Sequence, residues 1–142
     1  MVNKERLLKI IEDMYECTSD IDECIDILDN NKENTLMVKL AKSSLRQLFV
    51  SFHTILEDFS SIILKEIKKF KVGLTLSDAL RLLRDNNIID EDTYFFLQRS
   101  RMIRNRISHR YKEPSHEELI EHIIKYRDRI DVIIEIAKKY IR

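Results

Sequence analysis

The chain has 142 residues, and its 25 basic side chains balance 25 acidic ones, so the total charge points to no particular partner. One glycine and one proline exclude a sheet built on tight hairpins, which lean on glycine at positive φ. No run of about 18 apolar residues is present, so the expectation is a chain that does not enter a membrane. The opening M-V-N-K-E-R has no apolar segment behind it to act as a secretory signal, so the expectation is a cytoplasmic protein.

Apolar residues recur at helical spacing from residue 4 to 28: Leu7, Leu8, Ile11, Met14, Tyr15, Ile21, Ile25 and Leu28. Asp29-Asn30-Asn31 closes this helix with turn chemistry. Between residues 10 and 35 nine acids face one lysine, which gives the first helix an acidic outer side. Cys17 and Cys24 stand seven apart on one face, with no further ligands close by for a zinc site, so they read as reduced core thiols.

A second helix is expected from Thr35 to Phe70, with a broad apolar stripe that includes Leu36, Leu40, Leu45, Phe49, Phe52, Leu56, Phe59 and Ile63. His53 lies within this stripe and reads as a core histidine. Gly73 fits a position just past the end of that helix. Thr75 and Asp78 form a capping pair for a short helix, 76–84, which Asn86-Asn87 ends. Asp90 caps a fourth helix, 91–109, with Glu91 and Asp92 favouring its dipole. Ser115 and Glu118 start the last helix, which carries Leu119, Ile123, Ile124, Ile130, Ile133, Ile134, Ile136, Ala137 and Ile141. His116 and His122 read as surface residues on it. The reading is one domain, 1–142, folded as an all-α antiparallel bundle of about five helices.

Charge is concentrated at one place. From Thr93 to Lys112 there is no acid, and Arg99, Arg101, Arg104, Arg106, Arg110 and Lys112 make the stretch strongly basic. A basic site on an otherwise acidic body is the pattern of a focused anion site, and RNA is the expected ligand of those six side chains. On a helical wheel Phe96, Ile103 and Ile107 share the core side, while Arg101, Asn105, Ser108 and His109 lie away from it and Arg104 sits on the flank. Asn105 and His109 are stacked at i, i+4.

These residue types suit the cutting of RNA without a metal. An imidazole can take or give a proton near neutral pH, so His109 is the candidate acid or base. The RNA supplies its own nucleophile, the 2′-hydroxyl. Arg104 can hold a phosphate oxygen and stabilise the charge that builds in the transition state. Asn105 can orient either group, Ser108 stands beside the histidine, and Tyr111 offers a hydroxyl two residues on. No Asp, Glu and His stand nearby at metal-ligand spacing, so neither a metal nor another cofactor is invoked.

The segment R-N-R-I-S-H-R-Y, at the end of the penultimate helix of a small helical chain, resembles the HEPN superfamily, and more narrowly the HepT-like toxins paired with a minimal nucleotidyltransferase antitoxin. The resemblance implies a metal-independent endoribonuclease of a type II toxin–antitoxin system, working as a two-fold homodimer with two Arg-x4-His motifs in a cleft between subunits. Arg104 and His109 would be its catalytic pair and Asn105 the supporting polar residue. Tyr111 would match the tyrosine that the nucleotidyltransferase modifies with AMP. Ser108 departs from the small apolar residue more usual in the family. Two other readings stand beside this one: a non-catalytic subunit that presents RNA or nucleotide to a nucleotidyltransferase, and a purely structural dimeric bundle.

Overall fold

The computed structural model describes residues 3–109 and 111–141, and they form five helices with no strand among them. These are α1 (Lys4–Asn30), α2 (Thr35–Glu66), α3 (Leu76–Asp85), α4 (Glu91–Ile107) and α5 (His116–Lys139). A four-residue connection, 31–34, folds α1 back along α2, and this hairpin is the most extensive packing in the molecule. Helices α3 and α4 lie against the second half of it, and α5 closes on α1, α2 and α4.

The α1–α2 seam follows from residue spacing. Leu7, Ile10, Met14, Cys17, Ile21 and Cys24 are buried on α1, and Ala41, Leu45, Phe49, Phe52, Leu56, Phe59 and Ile63 on α2. Steps of three and four residues keep each set on one narrow side of its helix. The cysteines thus belong to the seam. Both are free and buried, and Cys17 Sγ donates to the Leu48 carbonyl at 3.4 Å. Burial pushes the Cys17 thiol up to about 11, which keeps it protonated and unreactive at neutral pH.

Three expectations about the stripes need correction. Leu8, Tyr15, Leu36, Leu40 and Ile124 are exposed, because the seams are narrower than the apolar residues in them and leave these at the edge. Helix α2 ends at Glu66, short of Phe70. The stop comes from Lys68, whose φ of 60° is left-handed and sends the amides of Lys69 and Phe70 back to the Leu64 carbonyl, at 2.8 and 3.2 Å. Gly73, at φ 88°, shapes a separate turn in which the Leu74 amide meets the Lys71 carbonyl at 3.3 Å. Lastly, His122 is buried, with its ring stacked on Phe96 at 5.6 Å. Helix α5 is kinked at Tyr126, whose backbone leaves helical φ/ψ and whose ring stacks on Phe96 at 5.2 Å.

The caps are as the sequence reads. Thr75 Oγ accepts from the Asp78 amide at 3.1 Å, Asp90 from Thr93 at 2.7 Å, and Ser115 Oγ from Glu118 at 3.1 Å. No helix among the described residues is long and apolar enough to cross a membrane.

Candidate functional site

Helix α4 carries the basic stretch out of the core. Phe96, Leu97, Ser100 and Ile103 face inward, which leaves two flanks. Arg101 and Arg104 lie on the flank that faces α2 and the start of α3. Arg99 and Arg106 lie on the other, beside Phe95, Met102 and Tyr126. What reads as one basic patch along the chain is divided by the helix into two.

The two sets differ in their partners. Arg106 is tied down: its guanidinium meets both carboxylate oxygens of Glu118 at 2.6 and 3.0 Å, and its Nε donates to the Lys112 carbonyl at 2.9 Å. The Arg106 hydrogen bond is the main force that lowers the Glu118 pKa. Arg106, one of the residues expected to meet RNA, fastens the α4–α5 loop. Arg104, two positions earlier, is half-buried and makes no ion pair or hydrogen bond among the described residues. Arg101 donates from Nε to Gln98 Oε1 at 2.9 Å, and Gln98 Nε2 reaches Ser77 O and Oγ at 3.2 and 3.3 Å, which joins α4 to α3.

Helix α4 ends at Ile107, with Ser108 as its cap, so His109 leaves the helix and stands exposed in the loop. Its amide donates to the Arg106 carbonyl at 3.0 Å, and its own carbonyl accepts from Lys112 at 3.0 Å. The stacking of Asn105 and His109 one turn apart therefore does not hold. Asn105 is exposed on the helix, and His109 lies beyond its end. The far side of the loop is held from α2: Arg46 donates to Glu113 Oε1 and to the Pro114 carbonyl, each at 2.9 Å. Tyr111 is 94 % exposed, and Lys112 and Arg99 are exposed as well. Arg110 falls outside the described residues.

Beside Arg104 lies a residue that the sequence reading placed in the core without a role. His53 is fully buried, and its Nδ1 lies 2.9 Å from the Phe49 carbonyl. A carbonyl only accepts, so Nδ1 carries the hydrogen and Nε2 is left as an acceptor. That Nε2 has no partner among the described residues. Burial foremost lowers the His53 pKa to about 4; the Phe49 carbonyl works against this, and the Arg104 and His122 charges add to it. His53, Glu57, Arg101, Arg104, Asn105 and the first turn of α3 line a cleft of about 460 Å³. The only signal for it in the sequence is the i, i+4 pairing of His53 with Glu57 in an apolar stripe.

No group of three or more His, Cys, Asp or Glu able to hold a metal occurs among the described residues. Comparison of the chain with protein-family models, with curated proteins and with solved structures gives no match. The functional reading therefore rests on the residues themselves.

Proposed function

We propose that the chain is a metal-independent endoribonuclease of the HEPN type, the toxin of a type II toxin–antitoxin pair. The observation that carries this reading is the state of Arg104: a guanidinium with no ion pair or hydrogen bond among the described residues, five residues before the exposed His109, in a chain whose three arginines on α2 and α5 are all paired. An unpaired arginine is ready for a phosphate. In this reaction an imidazole takes the proton of the 2′-hydroxyl, whose oxygen attacks the neighbouring phosphorus. The bond to the 5′-oxygen breaks, and a second imidazole protonates that leaving oxygen. The products are a 2′,3′-cyclic phosphate and a 5′-hydroxyl. Arg104 bears the charge of the transition state and Asn105 orients the phosphate.

One imidazole per protomer is available for this work. His53 and His122 are buried, and His116 sits 3.5 Å from Arg46. Two copies are then required, with the motifs facing across a two-fold axis. Tyr111 stands clear of the fold, as a residue modified with AMP by a nucleotidyltransferase antitoxin must.

The test is RNA cleavage by purified protein in EDTA, beside Arg104→Ala and His109→Ala. Each substitution is expected to reduce the rate by about 10²–10⁴-fold. Wild-type protein that leaves RNA intact but binds it would favour the alternative, a non-catalytic RNA- or nucleotide-binding subunit of a nucleotidyltransferase. So would a chain that stays monomeric in sedimentation.

A further inference from the structure

The cleft between α2, the start of α3 and α4 has the parts of a ligand site, and none of them is His109. On one wall stand the guanidinium groups of Arg101 and Arg104, neither in an ion pair among the described residues. On the opposite wall α3 begins. Thr75 Oγ takes the Asp78 amide, while the amides of Leu76 and Ser77, first in the helix, have no intrahelical acceptor. An oxyanion between these walls meets two cations and a helix N-terminus.

A bare anion does not explain the rest of the lining. Glu57 brings a carboxylate, which accepts hydrogen bonds and repels a second negative group. His53 forms the floor, and its buried Nε2 is an acceptor without a partner. A buried acceptor left unmatched is unfavourable, so a ligand hydroxyl that donates to it relieves that cost. Both acceptors face a ligand that carries donors as well as negative charge. The His53 ring is closed to solvent, so a hydroxyl reaches Nε2 only if the side chains above it move.

We propose that this cleft binds a phosphorylated ribose, with the phosphate between Arg101, Arg104 and the α3 N-terminus and a ribose hydroxyl donated to His53 Nε2 or Glu57. At about 460 Å³ the cleft has room for a nucleotide. The phosphorylated ribose is either a unit of an RNA strand or a free nucleotide, and the site stands whether or not the chain cleaves RNA.

The experiment is calorimetric titration of full-length His109→Ala protein, so that cleavage does not enter. Uridine 3′-monophosphate, its 2′-deoxy counterpart and the dinucleotide uridylyl-uridine are the probes. The ribonucleotide is expected to bind at least tenfold tighter than the deoxynucleotide. Arg101→Ala is expected to weaken it by a further tenfold, and Glu57→Gln to shrink the ribose preference, with the helical circular dichroism of each variant unchanged. Tighter binding of the dinucleotide assigns the site to RNA, and tighter binding of the monophosphate assigns it to free nucleotide. Equal binding of ribose and deoxyribose probes, or an unchanged affinity in Arg101→Ala, overturns the proposal. Retained binding, together with wild-type protein that leaves RNA uncut, removes the nuclease reading and leaves this one.

Discussion

Arg104 and Arg106 are two positions apart on one helix and have opposite fates. The first faces the cleft without a partner, and the second is spent on Glu118. Both groups of that pair are about two-fifths exposed, so water and salt weaken it, and its effect is local. It positions the turn that carries His109 and Tyr111. Arg106→Ala or Glu118→Gln is therefore expected to leave the melting temperature nearly unchanged and to speed tryptic cutting within residues 108–113. Added salt should do the same to the parent. Equal cutting rates in parent and variants would show that the pair does not hold the loop. RNA binding in Arg106→Ala should fall less than in Arg104→Ala, a difference that a filter-binding series reads directly.

At the scale of the element, much of the fold is legible in the sequence. The caps at Thr75, Asp90 and Ser115 can be read because a side-chain oxygen one residue before the helix has few other uses. The end of α2 cannot, because a lysine rather than a glycine adopts the left-handed turn and the apolar period continues through Ile67 to Phe70. The cleft is illegible for a different reason. A histidine in an apolar stripe looks the same whether its second nitrogen is matched or not, and that depends on α3 and α4 folding over it. The wheel of α4 separates core from surface but does not tell which neighbour each flank meets. The residue at the stop of α2 yields a prediction. A left-handed conformation costs a side chain about 1–2 kcal/mol, partly offset by the entropy glycine loses on folding. Lys68→Gly should thus stabilise the protein by about 0.5–1 kcal/mol, seen as a higher urea midpoint at unchanged slope. A lower midpoint would mean that the turn is not under strain.

Across the whole molecule, α2, α4 and α5 meet in an aromatic cluster, where His53 and His122 pack against Phe49, Phe52 and Phe96. Burial foremost lowers both imidazoles to about 4, with the Arg104 charge contributing at His53 and the Arg99 charge at His122. In the unfolded chain they titrate near ~6.5. Between these values the unfolded state binds protons that the folded state refuses, so stability falls as pH drops from about 6.5 toward 4. The loss amounts to a few kcal/mol for the pair, on the order of 1.4 kcal/mol per unit of separation for each ring. Urea midpoints at pH 7 and pH 5 measure it, and His122→Phe should flatten the difference. A midpoint that is flat or rises on acidification would mean that the rings are open to water. Asp90 and Glu118, whose pKa values are lowered by hydrogen bonds from Thr93 and Arg106, add a loss in the same direction at lower pH.

Helix α2 touches the candidate site at two points, with Arg46 on the loop and His53 beneath the cleft. The interval is seven residues, two turns, or about 10 Å along the axis. The helix thus acts as a ruler with a fixed phase. Removing a single residue between the two points would turn one against the other by about 100°, so the loop anchor and the cleft floor could not both stay in place. A length change at a stretch remote from the motif in sequence would then shift the loop that carries His109 against the cleft floor at His53 while leaving every residue of the motif intact.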